Sequence, residues 1–154
     1  MIIKEIETSS KKVLIYSHSK GGLDTLEAFR QRPDLLARVY GWVSVQSPFW
    51  GATVASMMYD NIILRENGKT LFEWMGGDVA GMSGITINER EAYMNRFEVK
   101  GTIDLIKRKI KFLNYASFII DEMGIDTPLE LFRNLTQHRA GNNDGVVSLQ
   151  SALM

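Results

Sequence analysis

Three runs of apolar and β-branched residues predict the strands of this chain. They are KVLIYS at 12–17, VYGWVSVQ at 39–46 and IKFLNYASFI at 110–119. The first two runs are almost continuously apolar, which is typical of strands covered on both faces in a parallel sheet. Because a helical pattern separates them, they predict a strand–helix–strand unit with parallel strands.

That helical pattern opens with Gly21 and Gly22 and reaches the second strand. Leu23, Leu26 and Phe29 recur at helical spacing. Pro33 interrupts the pattern, and Asp34 is a candidate cap for a short further turn. The remaining predictions are the end of a helix at 1–10, two short helices within 53–85, a helix at 87–107 with a break near Gly101, a short helix at 128–137 and a turn-rich loop at 140–147.

Composition limits the classes of function. The 154 residues contain 45% hydrophobic and 23% charged residues, as in a soluble globular domain, and the formal net charge is zero. A nucleic-acid partner is not expected, because its phosphates require a basic surface. The basic run at 107–111 is interpreted as a solvated helix face.

Cysteine and histidine counts bear on metals and on localisation. The chain has no cysteine and two histidines, so it offers no thiolate and too few imidazoles for a histidine-rich metal site. We expect no cofactor and no metal. No apolar run reaches transmembrane length, and the N-terminus is amphipathic rather than a signal peptide. We expect a soluble protein of undetermined localisation, whose secretion signal, if it has one, would lie upstream of Met1.

The segment IYSHSKGG at 15–22 is the clearest candidate for chemistry. A nucleophile elbow consists of a strand, a very tight turn that carries the nucleophile, and a helix that begins at once, with small residues two positions before and after the nucleophile. Ser17 and Gly21 flank Ser19 at that spacing. The backbone N–H of Lys20 would then be an oxyanion donor at the helix N-terminus. The alternative is an ordinary turn whose serines cap the helix.

A second candidate is Asp144 in NNDGVV at 142–147. These residues are a strong β-turn signal, and a structural turn accounts for them fully. The functional alternative is the carboxylate of a catalytic triad. Asp144 follows Ser19 and the third predicted strand, as the chain order serine, acid, histidine of α/β-hydrolases requires.

Three motifs together resemble bacterial lipases and esterases of the α/β-hydrolase fold. SHSKGG at 17–22 is similar to their G-H-S-x-G-G elbow, with serine in place of the first glycine. SPFWG at 47–51 is loosely similar to the T-P-H-x-G loop after their next strand, and NDGVV at 143–147 is similar to the N-D-G-[LV]-V segment of their acid. The three occur in the order of the family, which is more specific than any one motif.

The resemblance implies an α/β fold class: a partial α/β-hydrolase core with a mostly parallel sheet, flanking helices and a helical cap or lid at 57–109. It implies one incomplete domain over 1–154. The implied activity is that of a serine carboxylic ester hydrolase acting through an acyl-enzyme, with Ser19 as nucleophile and Asp144 as acid. The implied partner is a small-molecule ester or lipid, with transient contact to a lipid interface, and the oligomeric state stays open. The Met- and aromatic-rich residues 57–82 would line an acyl site, or pack as an ordinary core.

The chain departs from the family in its histidines. Family members place the catalytic histidine after the acid, and here no histidine follows Asp144. His18 lies inside the elbow, where its side chain should point away from the site, and His138 precedes the acid. We expect a piece of a longer hydrolase that is nearly inactive alone and lacks the early strands, the second oxyanion loop and the catalytic histidine. Two alternatives stay open: a non-catalytic binding or regulatory domain on a degenerate hydrolase core, and a small active hydrolase that uses His138.

Overall fold

Three parallel strands form one sheet in the computed structural model of the chain. β1 is Val13–His18, β2 is Val39–Val45 and β3 is Lys111–Tyr115, in the order β1-β2-β3. β2 pairs in parallel with both neighbours, so the predicted strand–helix–strand unit and the parallel sheet are confirmed. The third strand is shorter than the run that predicted it.

The structure describes residues 1–60, 83–120 and 128–154, and it divides into two compact units. The first unit contains Met1–Phe49, Tyr93–Ala116 and Ala152–Met154, and the second contains the described parts of Trp50–Ala92 and Ser117–Ser151. Much of the predicted cap at 57–109, and most of the Met-rich segment, lies outside the described residues. The cap therefore stays a prediction.

Helices follow the predicted pattern closely, with two differences. Those of the described residues are α1 Ile2–Thr8, α2 Lys20–Gln31, α3 Thr53–Asp60, α4 Ile87–Met94, α5 Phe97–Lys109, α6 Pro128–Ala140 and α7 Leu149–Ala152, with 3₁₀ helices at Pro33–Arg38 and Ser83–Ile85. The break near Gly101 is wrong: α5 runs through Gly101, and the chain turns at Arg96, whose backbone is extended. Asp34 is not a cap either, because its carboxylate binds the guanidinium of Arg32. None of the described helices combines the length and apolarity needed to cross a bilayer.

The core of the first unit lies between one face of the sheet and the helices α2 and α5. The predicted apolar face of α2 is buried there, with Phe29 fully enclosed. The Trp42 ring on β2 lies at the centre, with ring centroids 5.9 Å from Phe29, 6.1 Å from Phe49 and 4.9 Å from Phe112. This cluster holds α2, and with it the turn that precedes α2, against the sheet.

The opposite face of the sheet is exposed among the described residues, so the expectation of a sheet covered on both faces is wrong for them. Leu14 and Tyr16 of β1 are 65% and 70% exposed, and Leu113 and Tyr115 of β3 are 57% and 55% exposed. Successive side chains of a strand point to opposite faces. Because both sets of positions are apolar here, the sequence does not indicate which face is covered.

The second unit is built around close backbone contacts. The N–H of Ala52 donates to the carbonyl of Ile85 at 2.8 Å, and Gly51, with φ of 96°, lies against the backbone of Ile87. The predicted turn-rich loop is confirmed, and a single antiparallel bridge between Asn143 and Ser148 closes it. This loop carries Asp144.

Candidate active site

Ser19 forms the sharp turn between β1 and α2. The strand ends at His18, the helix begins at Lys20, and Ser19 between them has φ of 54° and ψ of −129°. A residue other than glycine in this region of backbone space costs about 1–3 kcal/mol and persists only where surrounding contacts impose it. Two hydrogen bonds do so: the Ser19 N–H donates to Val45 O at 2.9 Å, and Ser19 O accepts from the Gly22 N–H at 3.0 Å.

Close packing at the start of α2 depends on Gly22 more than on Gly21. A Cβ added at Gly21 would lie 3.7 Å from the Ser17 Cβ, an ordinary contact. A Cβ at Gly22 would lie 2.1 Å from the Ser47 Oγ and 2.9 Å from the Ser44 Oγ, where no methyl group fits. The helix therefore approaches the end of β2 most closely one residue beyond the position that the elbow rule marks.

The first amides of α2 point toward the turn. Lys20 is the first residue of this helix, and the first amides of a helix lack partners within it. The Lys20 side chain is directed along the helix surface, where its Nζ donates to Asp24 at 2.8 Å. The Ser19 hydroxyl makes no capping hydrogen bond to the helix. The turn thus presents a half-buried hydroxyl beside a helix N-terminus, which favours negative charge.

A charged cluster on the body of α2 stabilises the helix. Glu27 accepts hydrogen bonds from Arg30 Nη2 at 2.6 Å and from the Tyr93 hydroxyl at 2.6 Å. The hydrogen bond from Arg30 is the main reason that the pKa of Glu27 falls from 4.5 to about 2. The cluster ties α2 to Tyr93, so the helix that begins at the turn is fixed along its length.

Asp144 lies in the loop between α6 and α7, in the second unit. Its Oδ1 accepts hydrogen bonds from the backbone N–H groups of Val146 at 2.9 Å and Val147 at 2.7 Å. These bonds fix the carboxylate and are those of the structural turn. Ser19 belongs to the first unit, and its partnership with Asp144 stays a prediction.

Solved structures show what this arrangement is similar to. No protein-family model and no curated protein matches the sequence. Bacillus licheniformis lipase BlEst2 in its mature form matches with a TM-score of 0.73 at 20% identity, and its propeptide form matches with 0.68 at 22%. A metagenomic carboxyl esterase matches with 0.70 at 18%. The chain has the fold of these lipase and esterase structures. The resemblance drawn from the three motifs is confirmed at the level of the fold.

The lipase-like fold is present here over part of the neighbours' length. The matches cover 99% of this chain but 58% of the mature lipase, 31% of the propeptide form and 45% of the esterase. The chain thus spans between about a third and three fifths of the neighbours.

Neither histidine has a position in the described structure that assigns it to Ser19. His18 is exposed and, by the alternation of β1, lies on the opposite face of the sheet from Ser17. His138 is exposed in the last turn of α6, in the second unit, one residue beyond the predicted end of that helix. Neither histidine is therefore assigned to Ser19.

Two residues near the turn are not identified by the sequence motifs. Gln46, which follows β2, also has a positive φ of 48°, and its N–H donates to Tyr115 O at 2.9 Å. Trp42 donates its indole N–H to the Ser17 Oγ at 2.8 Å. The only sequence signal for the second contact is a tryptophan in the neighbouring predicted strand, and its partner depends on strand register.

Proposed function

We propose that this chain carries the nucleophile of a serine carboxylic ester hydrolase. The observation that supports this most strongly is the backbone of Ser19. A serine that only capped α2 would use its hydroxyl for that purpose and would not need a strained φ. Ser19 has φ of 54° and no capping bond. The lipase-like fold and the three motifs support the same assignment.

In the proposed reaction the Ser19 Oγ attacks the carbonyl carbon of an ester while a base takes its proton. The negative charge that develops on the carbonyl oxygen is stabilised by the N–H of Lys20. Collapse of this intermediate breaks the ester C–O bond, the alcohol leaves with a proton from the base, and water then hydrolyses the acyl-serine. Asp144 would orient the histidine that serves as base.

The base is the missing part of this proposal. A serine hydroxyl is a weak nucleophile without one, so the chain alone is expected to turn over esters several orders of magnitude more slowly than a complete triad. We propose that a histidine outside this sequence completes the site. The substrate would be a small-molecule ester or a lipid, reached through transient contact with a lipid interface.

Fluorophosphonate labelling tests the assignment, because this reagent phosphonylates activated serines. The full-length hydrolase of which this chain is proposed to be a piece, with its histidine, is incubated with the probe, and the modified residue is identified by peptide mass spectrometry. We expect modification at Ser19 that is lost in Ser19→Ala and kept in Ser10→Ala, which replaces an exposed serine outside the turn. Labelling that persists in Ser19→Ala would refute Ser19 as the nucleophile. His138→Ala tests the small-hydrolase alternative, which fails if ester hydrolysis is undiminished.

A non-catalytic binding domain on a degenerate hydrolase core is the second candidate. It is favoured by serine instead of glycine at position 17. It predicts no labelling at Ser19 in the folded protein, even at long incubation times. It also predicts that Ser19→Ala leaves ligand binding unchanged.

A further inference from the structure

Ser17 holds a hydroxyl at a position where the similar lipase motif has glycine. Its side chain is buried, at 7% exposure, and its Oγ accepts the hydrogen bond from Trp42 Nε1 at 2.8 Å. A buried hydroxyl without a hydrogen-bond partner destabilises a fold, and here the indole N–H supplies the partner. We propose that Trp42 is a positioning residue that fixes the backbone of Ser19 through Ser17.

Trp42 is itself immobilised. Its ring is fully buried between Phe29, Phe49 and Phe112, so its N–H has a fixed direction. A side chain with its rotamer set by packing can hold a partner to a small tolerance, as functional sites require. The hydrogen bond therefore fixes the end of β1 relative to the aromatic cluster of the core.

Strand register places this contact next to the turn. Ile15 pairs with Trp42 and Ser17 pairs with Ser44, so the indole reaches diagonally across the covered face of the sheet. Two residues further on, the Ser19 N–H donates to Val45 O at 2.9 Å. β1 is thus hydrogen-bonded to β2 by a side chain before the turn and by the backbone at the turn. Loss of the side-chain hydrogen bond should weaken the backbone hydrogen bond.

Hydrogen exchange of the Ser19 amide tests this independently of catalysis. Trp42→Phe keeps most of the ring but removes the donor, and Ser17→Ala removes the acceptor. Each variant is expected to accelerate exchange at Ser19 by about tenfold relative to the Ile110 amide, since one lost bond with one orphaned buried group has roughly that effect. The Ile110 N–H, which donates to Ile106 O at 3.1 Å at the C-terminal end of α5, is the reference amide in the same unit and outside the turn.

The double variant and a packing control make the test specific. The double variant Trp42→Phe with Ser17→Ala leaves neither a buried hydroxyl nor a buried indole N–H without a partner. Its Ser19 amide should therefore exchange more slowly than the product of the two single-variant effects predicts. Ile6→Val removes buried packing in α1, outside the aromatic cluster around Trp42, and keeps the indole donor, so it should accelerate both amides equally. Equal acceleration of both amides in Trp42→Phe, or simple multiplication in the double variant, would overturn the inference. If Trp42→Phe does not fold, Ser17→Ala alone gives the same readout.

Reactivity supplies a second readout, which rests on the proposed function. In the labelling assay described above, Trp42→Phe should slow fluorophosphonate modification of Ser19 by about tenfold relative to the wild type at equal folded fraction. The double variant should recover part of that rate. If the wild type is not labelled while the exchange pattern holds, the proposed function fails and the positioning contact stands. If the wild type is labelled and neither exchange nor rate responds to Trp42→Phe, the inference fails and the function stands.

Discussion

Replacing Gly22 by alanine should destabilise the elbow, because the new methyl group has no space. Its Cβ would lie 2.1 Å from the Ser47 Oγ and 2.6 Å from the Ser47 Cβ, so rotating the hydroxyl away does not relieve the overlap. The Ser44–Ser47 hydrogen bond of 2.8 Å must also break. Overpacking costs about 1–3 kcal/mol, and the lost hydrogen bond about 1 kcal/mol. The helical preference of alanine returns at most about 1 kcal/mol.

The expected net loss is therefore about 1–3 kcal/mol in the free energy of unfolding. Gly21→Ala is the matched control: it is also in the first turn of α2, but its Cβ would meet the Ser17 Cβ at an ordinary 3.7 Å. It should be neutral or slightly stabilising. Urea unfolding followed by tryptophan fluorescence gives both midpoints, and an unchanged slope shows that only stability has changed. Equal midpoints for the two variants would refute the packing argument at Gly22.

Three further predictions use other parts of the first unit. Glu27→Gln should lower stability at neutral pH, because the hydrogen bond from Arg30 holds the pKa of Glu27 at about 2 rather than 4.5. The ionised carboxylate contributes this stability fully above pH 4.5, and the contribution fades as the pH falls toward 2. The free energies of unfolding of the two proteins should therefore converge near pH 2, and a difference that is constant with pH would contradict the prediction. Gly101→Ala has open space within α5 and should raise stability by about 0.5–1 kcal/mol in the same urea assay, whereas a loss would show a contact that the structure does not have. Tyr16→Thr with Leu113→Thr should reduce binding of an apolar fluorescent dye without moving the unfolding midpoint, since these side chains are 70% and 57% exposed; unchanged dye binding would place the apolar surface elsewhere.

The sequence predicts local structure well where one physical signal dominates. The strands are found from their apolar runs, and the burial of Leu26 and Phe29 follows from helical spacing. A tight turn at Ser19 is one of the two alternatives that the sequence predicts, because a strand passes directly into a helix through small residues. Each of these features depends on neighbours within a few positions along the chain.

The sequence predicts less where partners are distant. The crowding at Gly22 comes from Ser47, a loop residue beyond the next strand, and the bond between Trp42 and Ser17 exists only in the observed register. The covered face of the sheet was not predictable either, because both faces of β1 are apolar. Whether Asp144 acts with Ser19 stays a prediction for the same reason, since it depends on contacts between segments far apart in sequence.

At Ser19, backbone strain lowers the stability of the fold, whereas the hydroxyl on that backbone serves the proposed reaction. Glycine adopts a φ of 54° at little steric cost, so Ser19→Gly would relieve strain of about 1–3 kcal/mol, partly offset by the greater freedom of glycine in the unfolded chain. The same substitution removes the hydroxyl that attacks the ester in the proposed reaction. A chain with no use for that hydroxyl could become more stable by one replacement. Selection for fold stability alone would therefore drive this position toward glycine, and only selection for chemistry would keep it as serine.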